Sequence, residues 1–285
     1  MTLPVVSSMN FTLIAIGSAV FGAIANILAR TLLKELRSKE ILGINFLTMG
    51  ATLVLFSPFF YYFKATTVAI LVLIGIGIID TLANFYYFKT FEETEASVAS
   101  PMLALAPAFT FFFGWLLLDD TVNLKTVALA FLIMFLVVIF SAGSSEFGRF
   151  KKATLIPAII SSVLFGISAI PTKYLLTNLH VINAPTLYMY RAGLIALFSL
   201  VFLNFPLRRI TNTQYRVIFF RGLFVIAQWL LLYYALTVGS AGVTITLANL
   251  TPIFVFFLSA AWLKEKITVR KIIASILILA LSLII

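Results

Sequence analysis

The chain has 285 residues, 62% hydrophobic and 11% charged, with a mean hydropathy of +1.13 and a formal net charge of +10. Soluble domains carry roughly 25% charged residues, so this composition cannot clothe a globule in polar groups; the chain is an integral membrane protein. With no cysteine and one histidine, His180, it excludes disulfides, thiolate sites, polyhistidine metal sites and cysteine nucleophiles.

Apolar runs between polar breaks predict an all-α fold of ten transmembrane helices. They lie near 10–31, 41–63, 66–89, 95–118, 123–142, 153–177, 184–205, 214–237, 241–263 and 268–285. Each is close to the roughly 20 residues needed to span hydrocarbon. The runs are continuous rather than alternating, which excludes a transmembrane β-barrel. Residues 1–9 carry no Lys or Arg and no small-residue cleavage site follows, so no cleavable signal peptide is expected.

The first helix carries Asn26 and the second Asn45. The third, GIGIIDTLANFYYF at its centre, carries Asp80, Asn84 and Tyr87. An ionisable residue at that depth is a functional candidate by default. Asp80 either meets a substrate ammonium or couples protons, or it forms a structural ion pair with Arg191, Arg221 or Lys173. Gly75 and Gly77 read as helix-packing positions rather than a nucleotide loop. Glu92, Glu93 and Glu95 read as the acidic opening of the fourth helix, where carboxylates offset the positive end of its dipole. The fourth helix contains Pro101 and Pro107. The fifth, FLIMFLVVIF, is apolar all round. The most polar connection, SSEFGRFKK at 144–152, divides the chain into halves at 1–145 and 153–285, with a short basic linker at 146–152.

The sixth helix ends near Pro171 and Lys173, a lysine expected to snorkel. The seventh carries Tyr188 and Arg191. That arginine either clamps a carboxylate or phosphate with its planar fork or locks helices together. The eighth carries Arg221, read as a snorkelling or interfacial arginine in preference to a ligand contact, then Gln228, Trp229 and Tyr233 at helical spacing. The ninth carries Asn249 and Pro252, and the tenth, IIASILILALSLII, is apolar. The amides Asn26, Asn84, Gln228 and Asn249 serve either to orient a ligand in an apolar pocket or as glue between helices. Tyr87, Tyr188, Trp229 and Tyr233 wall such a pocket or form an interfacial belt. A midplane cavity lined by helices 1–4 and 6–9 is expected, with helices 5 and 10 peripheral.

The halves repeat. Residues 96–118 align with 241–263 at an offset of 145, pairing Ala96/Ala241, Leu105/Leu250, Pro107/Pro252, Phe109/Phe254, Phe111/Phe256 and Phe112/Phe257. At an offset of 144, Ser18/Ser162, Phe21/Phe165, Gly22/Gly166 and Ala25/Ala169 also match. Five helices per half, an odd number, invert the second half relative to the first. Inverted repeats let two halves rock around a midplane site, with Pro107 and Pro252 as hinges.

The stretches PMLALAPAFTFFFGWLLLDDTVNLKTVALAFLIMFLVVIF and TLANLTPIFVFFLSAAWLKEKITVRKIIASILILALSLII resemble the two EamA-type repeats of the drug/metabolite transporter superfamily. The turn glycine of that family is replaced in both, at Asp119-Asp120 and Lys264-Glu265. The family's second-helix arginine matches Arg191 in the second half and is Thr48 in the first. The resemblance implies a ten-helix carrier of small metabolites, commonly an exporter.

A secondary transporter of small metabolites, such as amino acids or related polar or amphipathic compounds, is therefore expected. The alternatives are a passive channel, a structural membrane subunit or, less favoured, a membrane-embedded enzyme. The last needs clustered acid–base or metal-binding groups, whereas Asp80 stands alone. No catalytic residue, metal or cofactor is expected; coupling to protons or another ion is left open. Expected partners are the lipid bilayer and a small-molecule substrate, not nucleic acid, and the expected state is a monomer or weak homodimer. The loops after helices 1, 3, 5, 7 and 9 hold roughly fifteen Lys and Arg, which predicts a multi-pass protein of the cell membrane with those loops cytoplasmic.

Overall fold

The computed structural model describes residues 8–93, 96–118, 124–141, 152–203 and 210–263. Its helices are α1 (Ser8–Leu33), α2 (Ser38–Phe56), α3 (Thr67–Glu93), α4 (Ala96–Leu103), α5 (Ala106–Leu118) and α6 (Leu124–Ser141) in the first half. The second half contributes α7 (Lys152–Lys173), α8 (Ala184–Phe202), α9 (Asn212–Val238), α10 (Ala241–Ala248) and α11 (Thr251–Leu263). Among the described residues, seven helical stretches are long and apolar enough to cross a membrane. In hydrocarbon every backbone group must be paired internally, which is why the long apolar runs among the described residues are helical. The expected tenth helix, the greater part of the linker, Glu95, Asp120 and Glu265 lie outside the described residues.

The expected fourth and ninth helices are each broken in two. Turns at Ala104–Leu105 and Asn249–Leu250 interrupt them at one register, 145 residues apart. The cause is the paired prolines. A proline cannot donate to the carbonyl four residues back, so Pro107 frees the Leu103 carbonyl and Pro252 frees that of Ala248. Ser162 on α7 donates to the Leu103 oxygen at 3.2 Å, and Thr251 donates to the Ala248 oxygen at 2.8 Å. A break at membrane depth persists where freed groups are satisfied in this way. Past Pro171, α7 widens into a π turn at Tyr174–Asn178. The second helix stops short of the expected 63: a 3-10 turn at Ser57–Phe59, with Pro58 in its first turn, ends it.

The halves interleave. α1 packs on α9 as α7 packs on α3, α11 lies on α1 as α5 lies on α7, and α2 meets α8. Gly22 and Gly166, matched in the two halves, sit at these crossings. A Cβ at Gly166 would stand 2.6 Å from Phe109 Cβ and 3.0 Å from the Ala106 carbonyl oxygen; one at Gly22 would stand 2.9 Å from Gln228 Nε2. Gly77 packs on Leu194 and Phe198 as expected, but a Cβ at Gly75 would meet nothing within 4 Å among the described residues, so there Gly75 is no packing position.

The acidic cluster also departs from expectation. Glu92 and Glu93 end α3 rather than open the next helix. The Lys89–Glu93 pair, 2.7 Å apart and one turn along, supports that last turn. Arg30 donates to the Phe91 carbonyl at 2.8 Å and caps it. Glu92 does stand at a helix N-terminus, but that of α2, where it accepts from the Ser38 amide at 3.1 Å and from the Ser38 hydroxyl. At the opposite end, two loops zip the halves together. Phe63 bridges Ile182, the Lys64 amide donates to the Val181 carbonyl at 2.7 Å, and Asn183 Nδ2 donates to the Phe60 carbonyl at 2.6 Å. The hydroxyls of Tyr61 and Tyr190 lie 2.9 Å apart.

Candidate functional site

A cavity of about 1040 Å³ of empty space, its opening included, lies between the halves. α1–α5 supply one wall and α7–α11 the other; among the described residues none of α6 lines it. Asn26, Asn84, Tyr87, Arg191, Gln228, Trp229, Tyr233 and Asn249 all line it, as does Pro252 at the second helix break. Asp80 and Tyr188 stand directly behind its surface. Pro107 is buried at the first break and is not on the wall.

Asp80 is fully buried and ion-paired with Arg191. Arg191 Nε donates to one carboxylate oxygen at 2.5 Å, and Ser168 Oγ donates to the other at 2.6 Å. Arg191 also donates from Nη1 to Thr172 at 2.8 Å and from Nη2 to Ser168 at 3.1 Å. Of the two sequence readings of Asp80, the ion pair is the one the side chains form, and Arg191 is its cation. The guanidinium carbon lies 5.2 Å from the ring centroids of both Trp229 and Tyr233. Tyr188 stacks on Trp229, centroids 6.1 Å apart, and fixes that indole from behind. Buried polar networks stay ordered when every member is satisfied. This one joins α3 of the first half to α7 and α8 of the second.

Arg221 overturns its expectation. Instead of snorkelling it is 3% exposed. It lies nine residues into α9, roughly 14 Å along the axis at about 1.5 Å per residue. That depth, and the cover of α2 and α3, hold it inside. Nη1 donates to Asn45 Oδ1 at 2.6 Å, the Phe88 ring lies 4.7 Å beneath the guanidinium, and the Tyr87 hydroxyl is its neighbour. Tyr87 in turn donates to Asn26 Oδ1. Lys173 ends α7, partly buried.

The amides divide by use. Asn84 Nδ2 donates to the Asp80 carbonyl at 2.9 Å and Asn249 Nδ2 to the Ile245 carbonyl at 2.8 Å, each one turn back along its own helix. Sequence reasoning passed over Ser168, Thr172, Phe165 and the partnership of Asn45 with Arg221. Ser168 and Thr172 carried a legible signal, two hydroxyls one turn apart beside Pro171 in an apolar helix.

A family model described as the EamA-like transporter family matches residues 10–142 and again residues 152–285. The chain belongs to the EamA-like transporter family. As an EamA-family member it is a multi-pass membrane transporter, embedded in a lipid bilayer and acting on a small molecule. It is similar to a protein of Archaeoglobus fulgidus described as an uncharacterized transporter, 22% identical over 213 residues, 72% of this chain and 73% of the relative. A solved crystal structure superposes with a TM-score of 0.75 at 16% identity, covering 95% of this chain and 96% of the other; that likeness is one of fold.

Proposed function

We propose that this EamA-family protein is a secondary transporter that exports small metabolites, such as amino acids or related polar and amphipathic compounds, by alternating access in the cell membrane. The carrying observation is the position of the cavity. Both repeats wall it, and each repeat has a helix broken at the same register beside it. Rocking of one repeat against the other moves such a site from one face of the membrane to the other. Pro107 and Pro252 mark the hinges, because their freed carbonyls are held by hydroxyls that follow a bend. The loop zipper from Phe60 to Lys64 is the closed end of the path. Ten helices in two inverted sets of five, with the basic loops in the cytoplasm, give this motion its frame.

Counterflow tests the reading. Proteoliposomes loaded with an unlabelled amino-acid mixture are diluted into trace radiolabelled mixture. A transient accumulation above equilibrium is expected, because a carrier exchanges solute across its two states. Equilibration without overshoot indicates a channel, and a trace equal to that of protein-free vesicles contradicts transport of this class.

A further inference from the structure

We propose that the transported solute carries one carboxylate and that Arg221 is the residue that binds it. This deepens the transporter reading and rests on it. The argument begins with charge. Among the described residues, the buried charges at the cavity are Asp80, Arg191 and Arg221. Arg191 is neutralised by Asp80 in a direct ion pair. Arg221 is as deeply buried, yet the groups around it are an amide oxygen, a phenol and a benzene ring. An arginine does not shed its proton in a protein, so among the described residues the cavity keeps one positive charge without an opposite one. Burying a charge without an opposite one is costly, and a counter-charge supplied by a ligand offsets that cost.

Hydrogen bonding points the same way. Among the described residues, the buried side-chain nitrogens and oxygens without a partner are Arg221 Nε and the Tyr233 hydroxyl. Both belong to residues on this one cavity wall. Unsatisfied polar atoms are rare in native interiors, and two that belong to residues lining one cavity give ligand groups a place to bind once the side chains part to admit them. The planar guanidinium matches the two oxygens of a carboxylate. A phosphate dianion would bring one negative charge more than the site can balance. The Tyr233 hydroxyl takes a second polar group of the solute, and Trp229, Phe165 and Phe46 face its apolar body.

The test compares two probes of one shape, 3-phenylpropionate and its uncharged amide, with 2-phenylethyl phosphate as the dianion. Binding to the purified full-length protein is read by tryptophan fluorescence, since Trp229 lines the cavity, and by thermal shift. The carboxylate is expected to bind about tenfold more tightly than the amide, the scale of a charge-assisted hydrogen bond, and more tightly than the phosphate. R221M should bring the carboxylate down to the amide's affinity, and R221K should keep part of the preference. Equal behaviour of carboxylate and amide on the wild-type protein, including no binding of either, overturns the assignment, as does a preference that survives R221M. Tighter binding of the phosphate overturns the single-charge argument. The wild-type comparison stands even where R221M fails to fold. Counterflow without a carboxylate preference leaves the transporter reading standing and removes only this assignment.

Discussion

The carboxylate of Asp80 on α3 and the guanidinium of Arg191 on α8 form a buried ion pair that joins the two repeats. Truncating one partner of such a pair leaves the other charge unpaired. Asp80→Asn should therefore lower stability by about 3–5 kcal/mol. The double variant Asp80→Asn/Arg191→Gln should recover much of the loss, whereas Asp80→Asn/Arg221→Gln should not. Denaturant unfolding in detergent measures all four proteins. An Asp80→Asn protein as stable as wild type would remove the pair from the account.

The helix breaks make a second prediction. Ser162→Ala leaves the Leu103 carbonyl unpaired and should cost about 1 kcal/mol. In a Pro107→Ala background, residue 107 regains its N–H and can donate to that carbonyl, so the same Ser162→Ala change should cost little. A double-mutant cycle reads this directly. Equal costs in both backgrounds would show that the hydroxyl does not serve the break.

Two glycines with the same local sequence character should behave in opposite ways. Gly166→Ala drives a methyl group against Phe109 and the Ala106 carbonyl, where backbone cannot yield cheaply, and should destabilise by about 1–3 kcal/mol. Gly75→Ala meets nothing among the described residues and should be neutral or stabilise by up to about 1 kcal/mol through helix propensity. Thermal unfolding of the two variants side by side checks the contrast; a reversed order would contradict the packing.

Much of this architecture is legible in the sequence, because apolar run length dictates spans in a bilayer and because the repeat is written twice. Pro107 and Pro252 announced the position of the breaks, although the turn itself, three residues earlier at Ala104 and Asn249, depends on which neighbour satisfies the freed carbonyl. Asn26, Tyr87, Gln228 and Trp229 were visible as polar or aromatic residues inside apolar helices, and they meet at one cavity. What periodicity could not assign was charge partnership. Asp80, Arg191 and Arg221 lie on three different helices, and only the packing of α3 on α8, and of α2 on α9, decides which arginine receives the carboxylate and which receives Asn45. The burial of Arg221 was not legible because the cover that α2 and α3 give it comes from packing, which no local pattern on its own helix records. Glu92 caps α2 from a position 54 residues away in sequence, which no local reading detects.

The loop zipper yields a fourth prediction. Asn183 caps α8 through the Thr186 amide at 3.0 Å and also donates to the Phe60 carbonyl. Asn183→Ala should cost about 1–2 kcal/mol from the cap alone. It should also raise hydrogen exchange across residues 60–66 as well as at the start of α8. Protection unchanged in 60–66 would show that the two loops are not coupled.

The central claim is that one cavity faces each side of the membrane in turn. The chain has no cysteine, so a single introduced thiol is an unambiguous reporter. Ala248→Cys places it on the cavity wall, beside the second helix break. In sealed vesicles, a membrane-impermeant thiol reagent should label this one position when applied from either face, and saturating transported solute should slow labelling from both. Labelling confined to a single face, in the presence and absence of solute alike, would contradict alternating access at this site.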